Sequence, residues 1–249
     1  MSTRMLVRKS WLESRGRFVS AAVVLAILGV STVLRAPATI SGWESIHRGE
    51  QMSYPLYIWL SLSHGFLQFL WVVAAVILGL GGLIREEALG SSGFSLALPV
   101  SRRAHVLTRA GVGAAEAAVL GFIPGLIVVV LSPMIGRSYP LSQALMFAGL
   151  LVVAGLVFYA LGFLLSHVLR GEYAAPAVGM AAIAVFYVLT KLPRFEFLNV
   201  FDAMDGKKVL VGRTFYLGSE FPVVVILASL AVALGMVALA VIRVKSRDF

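Results

Sequence analysis

Three polar side chains lie inside apolar stretches of the sequence, where a polar group is costly unless it has a partner. His64 and Gln68 are four residues apart, so on a helix they share one face. Glu116 lies in another stretch, about two helical turns from its start. All three are candidates for lining a polar path across a membrane. The alternatives are hydrogen bonding to a neighbouring helix for His64 and Gln68, and pairing with Arg109 or Arg170 for Glu116.

Other chemistry finds little support. The chain has no cysteine, which excludes disulfides and thiolate chemistry. The four histidines (His47, His64, His105 and His167) lack metal-ligand spacing. The run 90–93 (GSSG) superficially resembles a rhomboid serine motif, but it falls in a predicted loop with no histidine placed beside it. We predict no catalytic, cofactor or metal site, with an intramembrane enzyme as a remote alternative.

The composition indicates that lipid is the solvent for most of the chain. Of 249 residues, 59% are hydrophobic and 13% charged, and the mean hydropathy is +0.93. An ordinary soluble domain is roughly a quarter charged. The net charge of +9 would suggest nucleic acid in a soluble protein. Here it is typical of basic cytoplasmic segments, so we predict no nucleic-acid binding.

About six stretches are long and apolar enough to span a bilayer, which needs about 20 residues. We therefore predict an all-α, polytopic membrane protein with a single domain over residues 1–249. The second stretch is long, so it is expected to tilt or to start late, and the fifth is short. The predicted spans are 18–34, 56–84, 110–131, 145–165, 174–189 and 221–242.

The basic residues predict the orientation. With the N-terminus inside, the cytoplasmic parts hold 13 Lys and Arg residues and the outer loops hold eight. This bias favours a multi-pass protein of the inner (cytoplasmic) membrane with both termini inside. Residues 36–38 (APA) are typical of a signal-peptide cleavage site, but the apolar stretch before them is longer than usual. An uncleaved first span is expected.

The predicted cytoplasmic loop between spans two and three carries the most information. It begins with acids, turns on glycines, continues with an apolar run, and ends at a proline that stops any helix. Its candidate site residues are Glu86, Glu87, Gly90, Phe94, Leu98, Pro99, Ser101, Arg102 and Arg103. Ser101 is placed to cap the next helix. A short apolar helix here suits docking into a soluble partner or lying on the headgroups.

This loop resembles that of ABC-2 type permeases, in which an acidic segment and a glycine lead into Leu-Pro-Val-Ser-Arg, here residues 98–102. Gly93 departs from the helix-favouring residue usual there. Residues 5–18 resemble the amphipathic elbow helix of these permeases, and residues 243–249 resemble their basic tail. The resemblance implies a coupling helix in the loop that contacts a separate ATPase subunit.

The sequence itself holds no Gly-x-x-x-x-Gly-Lys-Ser/Thr loop for ATP. ATP and Mg are accordingly expected in the partner ATPase. The resemblance further implies an exporter with two permease subunits, as a homodimer or heterodimer, among membrane lipids. A non-transporting membrane scaffold or assembly factor is the main alternative. The sequence does not specify the substrate.

One outer loop also shows a pattern. Phe195, Leu198 and Phe201 are spaced three apart, and Asp205-Gly206 follows them. This spacing predicts a short helix on the outer surface, with a simple connector as the alternative.

Overall fold

The protein is all-helical in the parts that its structure, a computed structural model, describes: residues 3–47, 51–80, 101–169, 173–212, 214–218 and 221–245. Extended pairing within those ranges amounts to the isolated bridge Leu210–Leu217. The α-helices are α1 Thr3–Ile46, α2 Tyr54–Ile58, α3 Phe66–Gly79, α4 Arg102–Leu131, α5 Leu141–Val168, α6 Ala174–Thr190, α7 Val200–Met204 and α8 Val223–Lys245. A π-helix (Trp59–Ser63) and 3-10 helices (Ser132–Ile135, Pro193–Leu198 and Lys207–Val209) complete the set.

Five of the described helical segments are, by length and composition, long and apolar enough to cross a membrane, which is consistent with the predicted polytopic membrane protein. They are α1, the segment Tyr54–Gly79, α4 with the 3-10 turn after it, α5 and α8. The predicted fifth span corresponds to α6, which is apolar but only 17 residues long.

Helix α1 is longer than one span requires. Its 44 residues extend about 66 Å at 1.5 Å per residue, whereas the hydrocarbon core is about 30 Å thick. It covers both the predicted elbow stretch and the predicted first span without a break. The excess length places part of α1 outside the hydrocarbon.

The second predicted span, residues 56–84, is interrupted rather than simply tilted. After α2 the chain takes one π-helical turn, in which the His64 amide donates to Trp59 O at 2.9 Å. Helix α3 then restarts after Gly65. A Cβ at Gly65 would collide with Leu60 O and lie 3.0 Å from Ser61 O, so the break requires glycine there.

Helix α5 is the centre of the bundle, because α3, α4, α6, α7 and α8 all pack against it. Helix α1 packs on the other side of α4 and α3. In the outer loop, where the sequence predicts a short helix, α7 is such a helix, and it packs against the bundle with Phe201 buried and Met204 fully enclosed.

Helices α3 and α5 come into backbone contact at two glycines. A methyl group at Gly162 would lie 3.1 Å from both Cα and the carbonyl carbon of Val76. A methyl group at Gly79 would lie 2.6 Å from Phe163 N. Ser166 Oγ donates to Gly79 O at 3.3 Å across this contact. Small residues allow the two backbones to approach closely, and such close packing stabilises helix association in membranes, where the hydrophobic effect does not.

We expect Gly162→Ala to destabilise the protein, because the added methyl forces two packed backbones apart. Overpacking of this kind costs about 1–3 kcal/mol. The measurement is the midpoint of thermal unfolding in detergent. Gly149→Ala is the matched control on the same helix, since nothing lies within 4 Å of a Cβ there. Equal midpoints for the two variants would contradict the close contact.

Candidate functional site

Three side chains of the interrupted second span point the same way. In a regular α-helix, residues five apart point about 140° apart around the axis. The π-helical turn adds one residue between Trp59 and His64, which brings both onto one face. Gln68, in the first turn of α3 after the break, also points toward α7. The indole of Trp59 stacks on the imidazole of His64 with ring centroids 4.9 Å apart.

All three side chains bind α7 or Asp205, the residue that follows it. Trp59 Nε1 donates to Asp205 O at 2.9 Å, and Gln68 Nε2 donates to Phe201 O at 3.0 Å. His64 Nδ1 pairs closely with Asp205 Oδ2. The other carboxylate oxygen, Asp205 Oδ1, accepts from the Lys207 amide at 2.8 Å. We call Trp59, His64, Gln68 and Asp205 the outer latch, because together they fasten α7 to the second span; the words outer and inner in such names follow the orientation that the sequence predicts.

Burial sets the electrostatics of the latch. The Asp205 side chain is 1% exposed, whereas that of His64 is 37% exposed. Burial raises the pKa of the Asp205 carboxyl above its ordinary value, and the nearby Asp202 adds to this. The hydrogen bonds from His64 and the Lys207 amide lower the pKa without cancelling the effect of burial. The latch therefore contains a buried carboxyl group whose pKa is raised, next to the break that precedes α3.

The local sequence explains how α7 reaches the latch. Asn199 Oδ1 accepts from the amides of Phe201 and Asp202 and so caps the helix at its start. The Phe201 ring then packs against Phe158, Phe186 and Tyr187, with centroids 5.2, 6.0 and 5.3 Å away. This aromatic cluster holds α7 between α5 and α6.

A second polar cluster joins α1 to α4 and contains Glu116. The Glu116 residue is 4% exposed, and its Oε1 accepts a short hydrogen bond from Ser14 Oγ. Within the described residues, its Oε2 is buried without a hydrogen-bond partner. Glu13 binds Arg109 Nη1 at 3.0 Å and Lys9 Nζ at 3.5 Å. We call Glu13, Ser14, Arg109 and Glu116 the inner cluster.

The same part of α1 also reaches the end of α3. Arg17 Nη1 donates to Ile77 O at 2.9 Å, two residues before α3 ends. At the other side of the predicted docking loop, Ser101 Oγ accepts from the Ala104 amide at 3.3 Å and caps α4, as the sequence predicts. The side chains of Ser101 and Arg103 are exposed. Helix α1 therefore binds residues on both sides of the loop, Ile77 before it through Arg17 and Arg109 after it through Glu13.

The structure assembles some of the predicted site residues and not others. His64 and Gln68 meet at the outer latch, where both contact a neighbouring segment. Glu116 lies apart from them and bonds to Ser14 rather than to Arg109 directly. The predicted loop residues Glu86, Glu87, Gly90, Phe94, Leu98 and Pro99 lie outside the described residues, as does the side chain of Arg102.

Sequence reasoning missed two members of the latch. In the sequence, Trp59 is one of several aromatic residues near a predicted span end, and Asp205 is one of several charged residues in a predicted loop. The available signal is an acid directly after a short helix that is capped by Asn199. That signal indicates the end of α7 but not the partners of Asp205, which are Trp59 and His64 at the π-helical turn.

No group of three or more His, Cys, Asp or Glu side chains that could hold a metal ion occurs in the ranges that the structure describes. Comparison of the chain with models of known protein families and with curated proteins finds no match. The two clusters are therefore interpreted from their own chemistry.

We expect His64→Leu to release α7, because it removes one hydrogen-bond partner of the buried Asp205 carboxyl. Leaving a buried polar atom without such a partner costs about 1–3 kcal/mol. The chain has no native cysteine, so a Met204→Cys background gives one labelling site at a fully buried position. The measurement is the rate of modification by a water-soluble maleimide, which we expect to rise at least tenfold, a factor equivalent to about 1.4 kcal/mol.

His47→Leu is the matched control for this experiment. His47 stacks on Trp43 with centroids 3.9 Å apart and has no contact with α7. Labelling at residue 204 should stay at the background rate in this variant. Equal rates in the two histidine variants would contradict the latch.

We also expect the contact between α7 and the second span to weaken as the pH rises. A carboxyl whose pKa is raised in the closed state stabilises that state at low pH, and this stability is lost as pH rises through the raised pKa. We expect maleimide labelling at residue 204, corrected for the reactivity of free cysteine, to increase with pH. Asp205→Asn keeps a hydrogen-bond acceptor but does not ionise, so its corrected labelling should not change with pH. A pH dependence unchanged in Asp205→Asn would exclude Asp205 as its source.

Proposed function

We propose that this chain is the membrane-spanning permease subunit of an ABC transporter, driven by a separate ATPase that docks on residues 85–103. In this proposal α6 is the fifth of six spans, and the protein lies in the inner membrane with both termini in the cytoplasm. The start of α1 serves as the elbow at the cytoplasmic surface. Export is the proposed direction.

The main observation in support of the proposal is that α1 binds residues on both sides of the docking loop. Arg17 holds the last turn of α3, and Glu13 holds Arg109 near the start of α4. A force applied between these flanks therefore reaches α1, α3 and α4 together. A simple connector needs no such anchoring, whereas a loop that receives work from a partner does.

The packing of the described residues also favours two permease subunits. The space between α3, α4 and α5 contains an apolar cavity of only about 40 Å³ beside Trp71 and Met204. Known ligand pockets measure about 300–1,000 Å³. This cavity is therefore too small for a substrate to pass through this part of one subunit, which favours a substrate path between two subunits.

A partner ATPase should depend on the docking loop. We expect Glu87→Ala and Arg102→Ala to uncouple ATP hydrolysis from transport while the protein remains in the membrane. Coupling free energies between sites correspond to roughly 5- to 150-fold effects, so a fall of at least about fivefold in transport per ATP hydrolysed is expected. The measurement uses the complex of this chain with its co-purifying ATPase in proteoliposomes.

Glu44→Ala and Arg35→Ala are matched controls, since both residues are exposed on α1 beyond the inner cluster. They should leave hydrolysis and transport coupled. Co-purification of no ATPase, or coupled transport in both loop variants, would contradict the proposal. An ATPase that binds without transport would favour the scaffold alternative.

A further inference from the structure

The carboxyl group of Glu116 is buried between α1 and α4 with few of the partners that a charged group needs. The residue is 4% exposed, and Ser14, which bonds to it, is 7% exposed. Among the described residues, no group hydrogen bonds to Glu116 Oε2. An ionised carboxylate has about four acceptor sites, and a buried charge is costly unless it is paired and hydrogen-bonded. A single hydrogen bond compensates little of that cost.

Two cations attract the Glu116 carboxyl through space, Arg17 of α1 and Arg109 of α4. The Arg17 guanidinium donates from Nη1 to a backbone carbonyl near the end of α3 at 2.9 Å. The Arg109 guanidinium binds Glu13 Oε2 through Nη1 at 3.0 Å. Glu13 also pairs with Lys9, so the charges of this surface largely balance one another. The carboxyl group of Glu116 has no dedicated counter-ion in this arrangement.

The other helices packed on α4 do not compensate a charge at Glu116. Tyr159 of α5 interacts electrostatically with Glu116, but a phenol is neutral at pH 7. The other titratable residue of α5, His167, lies about two turns further along the helix. Helix α3 contains no titratable residue, and those of α8, Arg243 and Lys245, are in its last turn.

Ser14 can bond to Glu116 in two ways, because a hydroxyl group has one hydrogen and two lone pairs. Ser14 Oγ lies beside Glu116 Oε1, 2.9 Å from Ser10 O and 3.3 Å from Trp11 O. With an ionised carboxyl, the hydroxyl donates to Glu116. With a protonated carboxyl, the hydroxyl donates to Ser10 O, and the carboxyl proton forms the bond to Ser14. The second arrangement leaves Oε2 as the carbonyl oxygen of a neutral acid, which is less costly to bury.

We propose that Glu116 is a proton-binding site, in which the protonated carboxyl group donates to Ser14 and so joins α4 to α1. Uptake of one proton forms an O–H bond at Oε1, the Ser14 hydrogen turns to Ser10 O, and no other covalent bond changes. Glu13, whose side chain is 29% exposed, adjoins Ser14 and brings the cluster to the surface. A neutral acid suits a buried contact and a carboxylate suits water, so loss of the proton favours separation of α1 from α4. The inference stands whether or not an ATPase docks.

Infrared spectroscopy of the full chain, in a detergent without carbonyl groups, tests the proton directly. A protonated carboxyl group has a C=O stretching band separate from the bands of carboxylates. In the difference spectrum between wild type and Glu116→Gln near neutral pH, we expect the loss of one such band. Glu44→Gln changes an exposed acid on α1 and should leave the band unchanged. A band of equal intensity in wild type and Glu116→Gln would overturn the proposal.

Serine variants test the bond to α1, each measured against the same variant carrying Glu116→Gln. Ser14→Ala removes the acceptor, so the Glu116 band should move to the higher frequency of a carboxyl group without a hydrogen bond. Ser14→Thr keeps the hydroxyl and should restore the original frequency. Ser20→Ala removes an exposed hydroxyl of α1 that bonds within the helix, and it should have no effect. An unchanged frequency in Ser14→Ala would exclude the proposed bond.

Cysteine labelling tests the consequence for α1. Ser10→Cys places the only thiol of the chain at a position that is 5% exposed. Its rate of maleimide modification, corrected for the reactivity of free cysteine, should rise with pH by at most about tenfold per pH unit, the limit for loss of one proton. Glu116→Gln still donates to Ser14 but does not ionise, so it should abolish this rise. A rise that is absent with Glu116 present, or equal in the two backgrounds, would contradict a proton-dependent contact.

Discussion

The indole of Trp71 fixes the crossing of three membrane helices, and the rest of the bundle depends on it. The residue is 1% exposed, and its Nε1 donates to Ala117 O of α4 at 3.0 Å. The ring lies beside Gly121 of α4 and Gly155 of α5, where any side chain would clash with another atom. In lipid the hydrophobic effect does not drive helices together, so close packing and hydrogen bonds stabilise their association.

This crossing determines where both polar clusters lie. Helix α3 carries Trp71 at its centre, restarts at Gly65 beside the outer latch, and ends at Gly79 beside the flank that Arg17 holds. In an apolar medium each polar group needs a partner, and most of those along α3 find theirs in another part of the chain. The polar contacts are therefore also the contacts between segments that are distant in sequence.

The sequence predicts the helices well because hydropathy and length are local properties. Leu141–Val168 and Val223–Lys245 follow directly from their apolar runs, and Ser101 caps α4 as its residue type indicates. The π turn is different, because Trp59–Ser63 looks like any other helical stretch. Its side chains contact Asp205, which follows the buried Phe201 some 140 residues further along the chain. Pairings of this kind are not readable from local patterns.

The length of α3 connects the two clusters mechanically. Its 14 residues span about 21 Å between the latch at one end and the loop flank at the other. Backbone contact at Gly79 and Gly162 prevents the inner end from sliding along α5 in small steps, because packed interfaces shift between discrete arrangements. The outer end is less constrained, since a π turn and a glycine break lie beside it. A shift imposed at the inner end would therefore be expressed at the latch, where Trp59, His64 and Gln68 bind Asp205 and α7.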